Sequence, residues 1–260
     1  MLEDKIHALR RKKRVLLMPH LVLGAPSFDD NRKMIQTMVA AGAEIIEMQI
    51  PFSEPMADGP VILKANDEAL KNGANTTKCL AFAQSVCAEH PDVIFIFMTY
   101  YNILFAYGLE AFIKKARAAG VEALIVPDLP PEEGKDYLAL CESVGMAPIF
   151  VFPPTSSVER LKEVAKSCKG MMYCVGRKGV TGLKTKMDDS LINTIKKYRS
   201  ISNLPLALGF GIQSKEDVDA IAAHIDIAII GTKLLMIQQE EGIEAVGRFL
   251  KSLRASPEGA

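Results

Sequence analysis

The sequence predicts an α/β fold, a (β/α)8 TIM barrel with additional helices, because short apolar runs recur along it and each is followed by a longer amphipathic segment. The runs cover 15–23, 44–50, 93–98, 122–126, 147–152, 170–175, 204–208 and 225–230. Near-continuous apolar strands are buried on both faces, as in a parallel sheet covered by helices. Size agrees: barrels of eight strand–helix units typically need about 250 residues, and the chain has 260. The expectation is a single TIM-barrel domain over 1–260, with a disordered tail from about 255.

Helical patterns fall at 29–41, 61–71, 76–89, 108–118, 132–143, 156–167, 189–199, 214–222 and about 242–254. Ser156 and Ser157 precede one of them, and Ser214 stands three residues before Asp217, a spacing that caps a helix start. Gly42, Gly120 and Gly145 follow helical segments, where a left-handed residue closes the last turn. In a barrel the functional loops follow the C-terminal ends of the strands, so candidate residues are sought there.

Composition narrows the function classes. Thirty-one basic residues balance thirty-one acidic ones, which leaves no long-range attraction to nucleic acid or to an acidic membrane surface. The one dense basic cluster, Arg10 to Arg14, reads as a solvated helix end before the first strand. Five cysteines without a CxxC pair read as reduced, mostly buried small hydrophobes of a cytoplasmic protein. The first residues lack a signal-peptide core, and no apolar stretch reaches the ~20 residues that span a bilayer.

Two acids stand out after the second run. Period-two alternation puts Ile45, Glu47 and Gln49 on one face and Ile46, Met48 and Ile50 on the other. With the apolar trio against the helices, Glu47 points into the barrel mouth, as a structural salt-bridge partner or as a general acid or base. Asp58 lies in a connection restricted by Pro51, Pro55 and Pro60, where it is a turn residue or a substrate contact. Glycines mark the ends of the later strands: 176–182, Gly209 and Gly211, and Gly231 followed by Thr232 and Lys233. Barrels often hold phosphate after their last two strands, where backbone N–H groups and a helix end face the anion. The residues alone therefore point to proton-transfer chemistry on a small phosphorylated substrate.

Six strings carry a more specific resemblance: EMQIPFSEPMADGP at 47–60, YYN at 100–102, VPDLPPEE at 126–133, APIF at 147–150, RKGVTG at 177–182 and GFGI at 209–212. In this order, from the first strand to the last helix, the chain resembles the tryptophan synthase alpha subunit (indole-3-glycerol phosphate lyase) family. The resemblance implies retro-aldol cleavage of indole-3-glycerol phosphate to indole and glyceraldehyde 3-phosphate. Glu47 matches the glutamate that protonates the indole C3 and takes the side-chain hydroxyl proton. Asp58 matches the aspartate that meets the indole N–H. His20, Tyr100, Tyr173 and Phe210 fall around the indole, with Thr181 in the loop after the sixth run, where the family's threonine positions the Asp58 loop. Gly182, Gly211, Gly231 and Thr232 match phosphate-binding positions. The resemblance further implies an alpha2-beta2 heterotetramer with a beta subunit that carries pyridoxal phosphate and receives indole through a tunnel. Glu54, Asn102 and Pro130 fall near that interface. No metal and no cofactor is implied for this chain.

The sequence departs from the family pattern at several of these positions. His20 stands where a large apolar or aromatic side group is usual, Gln49 where glycine is usual, and Glu54 in place of aspartate. Val22, Ala25 and Pro127 also differ, Gly176 and Lys178 flank Arg177 where small polar residues are usual, and Thr232 replaces serine while keeping its hydroxyl. Two alternatives remain within the resemblance: a stand-alone lyase that releases free indole, and a catalytically weak subunit that mainly activates a beta partner. A different phosphate barrel, such as a sugar-phosphate isomerase, fits the fold but gains nothing from the Asp58 loop or the GVTG string.

Overall fold

A computed structural model of the protein describes residues 1–176, 189–209 and 211–254. Thr181, Gly182, Phe210 and the tail from 255 lie outside the described residues. The strands are β1 (Leu16–Val22), β2 (Ile45–Gln49), β3 (Ile94–Met98), β4 (Ala123–Ile125), β5 (Ala147–Ile149), β6 (Val151–Phe152), β7 (Met172–Val175), β8 (Leu206–Gly209) and β9 (Ile227–Ile230). They form one sheet in the order β5-β4-β3-β2-β1-β9-β8-β7-β6, with every neighbouring pair parallel. Only Phe150 separates β5 from β6. β5 pairs with β4 and β6 pairs with β7, so the backbone joins the two ends of the sheet and closes the barrel. Each of the eight expected runs contributes one barrel strand, the fifth broken at Phe150.

Alternation sorts the strand residues into two layers. Ile46, Met48 and Ile50 join the large cluster between sheet and helices, whereas Ile45 joins an inner cluster with Leu16, Met18, Ile96, Ile125 and Ile227. The expected facing of β2 is therefore the observed one. Between the strands run α2 (Phe28–Ala40), α3 (Pro60–Lys71), α4 (Thr76–Glu89), α5 (Tyr101–Tyr107), α6 (Leu109–Ala118), α7 (Lys135–Val144), α8 (Val158–Ser167), α9 (Asp189–Arg199) and α10 (Lys215–Ile221), and α11 (Thr232–Glu241) and α12 (Ile243–Ser252) follow the last strand. Ser157 caps α8 through the Arg160 N–H, and Ser214 and Asp217 form a reciprocal capping box on α10, as their spacing predicts.

The N-terminal α1 (Leu2–Arg10) plugs the end of the barrel away from the loops after the strands. Its Leu2 and Ile6 join the inner cluster, and Glu3 Oε1 accepts the Gly170 N–H at 2.8 Å. A Cβ at Gly170, whose φ is +81°, would stand 2.7 Å from Leu2 Cδ2, so glycine is needed there for both conformation and space. The basic cluster that follows is solvated, as expected, with Arg11 to Arg14 all exposed. Within it Arg10 pairs with Asp226, Lys13 with Glu44 and Arg14 with Asp219.

The cysteines are all free, with only Cys87 partly exposed. Burial pushes the thiols of Cys79, Cys87, Cys141 and Cys168 up to about 12, so they act as small hydrophobes rather than nucleophiles. Among the described residues no helix is long and apolar enough to cross a membrane.

Candidate active site

The parallel register of β1 and β2 places His20 beside Glu47, and both side chains point into the barrel mouth. His20 Nδ1 lies 3.1 Å from Glu47 Oε1, with side-chain exposures of 5% and 2%. The other carboxylate oxygen, Oε2, accepts from the Tyr173 hydroxyl of β7 at 3.5 Å, at the outer limit of a hydrogen bond. Glu47 is thus held from two sides of the barrel, which explains how a carboxylate stays so deeply buried.

Asp58 arrives from the loop after β2. Its Oδ2 accepts from Gln49 Nε2 at 2.7 Å and from the Tyr100 hydroxyl at 3.2 Å. Burial is the main force raising the Asp58 pKa, opposed by Gln49, His20 and Tyr100 and reinforced by the charge of Glu47. The two acids therefore sense each other within one polar cluster. Tyr100 also accepts the Ala57 N–H at 3.1 Å, and its ring stacks on Phe52 with centroids 5.0 Å apart. One tyrosine thus anchors both the carboxylate and the backbone of the loop.

Asn66 fixes the start of the same loop. Its Oδ1 accepts the Phe52 N–H at 2.9 Å, while Nδ2 donates to the Ile62 carbonyl of its own helix. Sequence reasoning missed Asn66, although a signal was there. Ile62, Ala65, Asn66 and Ala69 form the buried stripe of α3, and an amide on such a stripe needs partners. Gln49, a departure from the family pattern, proves to be a direct partner of Asp58.

The candidate anion-binding residues lie beside this cluster. Gly231 is the N-cap of α11, and Thr232 opens its ten residues. A Cβ at Gly231 would stand 3.8 Å from His20 Cβ, an ordinary contact, so sterics do not dictate glycine there. Its bare backbone does keep the helix end open to a ligand. Gly211, after β8, has a φ of +82°, and Lys233 is partly exposed. Gly231 and Thr232 thus set the N-terminus of α11, the positive end of its dipole, on the His20 side of the mouth. The expected contributions of Gly182, Thr181 and Phe210 fall outside the described residues.

The positions expected at a protein interface are all exposed: Glu54, Asn102 and Pro130 follow β2, β3 and β4. Two large apolar residues are also exposed after β2 and β3, Met56 at 88% in the Asp58 loop and Phe105 at 70% on α5. Sequence reasoning passed over both, because their exposure depends on how the loops are laid. Among the described residues no group of three or more His, Cys, Asp or Glu side chains is placed to hold a metal ion.

Comparison with known proteins adds the family. A family model described as tryptophan synthase alpha chain matches residues 6–255. The tryptophan synthase alpha chain of Desulfotalea psychrophila is 49% identical over 253 residues, 97% of this chain and 99% of that one. The structure of Mycobacterium tuberculosis tryptophan synthase in space group F222 matches with a TM-score of 0.91 at 28% identity, covering 98% of each chain. That of tryptophan synthase subunit alpha from Legionella pneumophila matches with a TM-score of 0.88 at 28% identity, covering 97% of this chain and 96% of that one.

Proposed function

The chain belongs to the tryptophan synthase alpha chain family, and on that premise we propose that it cleaves indole-3-glycerol phosphate by a retro-aldol reaction. The observation that carries this reading is the pairing of two partly separated acids at one barrel mouth: Glu47 held by His20 and Tyr173, and Asp58 held by Gln49 and Tyr100. The reaction makes matching demands. Breaking the bond between the indole C3 and the glycerol carbon needs a proton delivered to C3, a proton removed from the glycerol hydroxyl, and stabilisation of positive charge on the ring. Glu47, deepest in the mouth, serves both proton transfers. Asp58 accepts from the ring N–H and balances the charge.

The phosphate is held at the N-terminus of α11 by Gly231 and Thr232, with Gly211 beside it. The indole ring lies toward Tyr100 and Tyr173. The Asp58 loop, anchored by Tyr100 and Asn66, covers the ring and excludes water, which strengthens the charge interactions at the reacting atoms. All of these steps draw on carboxyl groups, hydroxyls and backbone amides of this protein. Pyridoxal phosphate belongs to the beta subunit.

The exposed Met56 and Phe105 beside Glu54, Asn102 and Pro130 support a docked partner over a stand-alone lyase, because large exposed apolar groups on one face mark interaction sites. The partner is a beta subunit in an alpha2-beta2 assembly in the cytoplasm, to which indole passes. The test is indole release from indole-3-glycerol phosphate, measured with and without the cognate beta subunit. Release that increases with the partner is expected. Strong release unchanged by the partner favours the stand-alone lyase. Complex formation with no release at saturating substrate favours a purely activating subunit.

A further inference from the structure

His20 invites a closer account, because neither its burial nor its partner is what a wall of an aromatic pocket requires. Its Nδ1 meets Glu47 Oε1 at 3.1 Å, and the Gln49 side chain also favours the charged imidazole. The geometry supplies an imidazole and a carboxylate in direct contact, both withdrawn from water. We propose that His20 and Glu47 act as one proton-sharing unit, in which His20 holds the proton that Glu47 delivers to the substrate and recovers from it. This inference rests on the cleavage proposed above and assigns His20 as a positioning residue acting through Glu47.

The step balances without an added reagent. His20 gives its Nδ1 proton to Glu47 Oε1, and the neutral carboxyl then protonates the indole C3. The resulting carboxylate takes the proton of the glycerol hydroxyl as the C–C bond breaks, the bonding pair returning to the ring. Glu47 finally passes that proton back to Nδ1, so the unit ends as it began.

The surroundings of His20 favour the protonated resting form. Burial pushes its pKa down, but the charge and hydrogen bond of Glu47 outweigh it, with Asp58 and Gln49 adding, and the net direction is upward from 6.5. The ionisable groups acting on it are Glu47 on β2 and Asp58 on the loop beyond. On the β9 side its described neighbour is Gly231, which carries no charge. As pH rises through this elevated value the unit loses its shared proton, and cleavage falls. A carboxyl alone would lose its proton at lower pH.

The experiment pairs a pH–rate profile with a direct titration. In His20→Phe, the alkaline limb of kcat is expected to move to lower pH by about one unit or more, within the separation of the ordinary histidine and carboxyl ranges. At a fixed pH on that limb this is about a tenfold loss, with KM changed less than threefold or so. His20→Asn keeps an amide donor near Glu47 but cannot carry the proton, and the same displacement is expected. An unchanged limb in both variants, or restoration by Asn alone, overturns the proposal. Imidazole NMR of the parent, with His20 assigned by the signal missing from His20→Asn, should show titration above 6.5 and a downward shift in Glu47→Gln. Titration at or below that value overturns the shared proton regardless of turnover. A parent that releases no indole removes the cleavage and the role built on it, while the titration still reports on the pair itself.

Discussion

Gln49 Nε2 donates to Asp58 Oδ2 at 2.7 Å, tying a barrel strand to the loop that follows it and stabilising the charged form of the loop's acid. This bond works against burial, which raises the Asp58 pKa above 3.8. In the proposed reaction Asp58 acts as a carboxylate, so activity falls as acid protonates it. Gln49→Gly removes the donor and lets the pKa rise further. The acid limb of the pH–rate profile is then expected to move to higher pH. A limb that stays in place, or moves down, would refute the role given to this bond.

Glu47→Gln separates the proposed chemistry from structure. The amide keeps the size of the side group and can still bond to His20 and Tyr173, but it cannot carry a proton between atoms. The variant should fold, judged by circular dichroism, and lose at least about 100-fold in indole release, the lower range for general acid–base catalysis. A nearly normal rate would remove Glu47 from the reaction.

Thr232 is assigned to the anion. Replacing it with valine keeps the shape and deletes one hydroxyl donor to a charged group, a loss of about 1.5–3 kcal/mol. Glyceraldehyde 3-phosphate should bind at least about tenfold more weakly by calorimetry, while the thermal midpoint changes little. Unaltered binding would place the phosphate elsewhere.

Phe105 is the clearest handle on the partner surface. It is 70% exposed on α5, and burying an aromatic residue in an interface contributes roughly 1.5–3 kcal/mol. Phe105→Glu should therefore weaken the complex with the beta subunit about tenfold or more in a binding titration. Affinity equal to that of the parent would show that this face stays free.

Asp226 offers a test of stability alone. Its carboxylate accepts the Leu206 N–H at 2.8 Å and pairs with Arg199 and Arg10. Burial pushes its pKa up, but these partners prevail and hold it below 3.8. A depressed carboxylate contributes stability above its unfolded pKa and loses it as pH falls through the folded value. Asp226→Asn should cost about 1.5–3 kcal/mol at neutral pH and distinctly less once the pH falls through the lowered folded-state pKa, where the parent loses the same charge. Equal costs at both pH values in urea unfolding would contradict this account.

The strand–helix rhythm was readable because it rests on local periodicity. The facing of Ile46, Met48 and Ile50, the Ser157 cap and the Ser214 capping box follow from spacing alone. The helix α5 was not readable as a separate element. Its first N–H, at Tyr101, is satisfied by the carboxylate of Asp128, 27 residues away, a cap that no local window contains. The helical pattern expected over 132–143 begins later, at Lys135, because Pro131 to Glu133 form a tight 3-10 turn. Phe150 interrupts the fifth run for a similar non-local reason: the strand there changes partners between β4 and β7.

The sequence by itself determined the barrel, the inward facing of Glu47 and the family motifs, since apolar alternation and short motifs are properties of neighbouring residues. Only the tertiary structure decided that His20 binds Glu47, that Gln49 and Tyr100 converge on Asp58, and that Asn66 pins the loop between them. Those contacts join separate strands, loops and helices. Their distances are set by sheet register and barrel closure, which no single stretch of residues encodes alone.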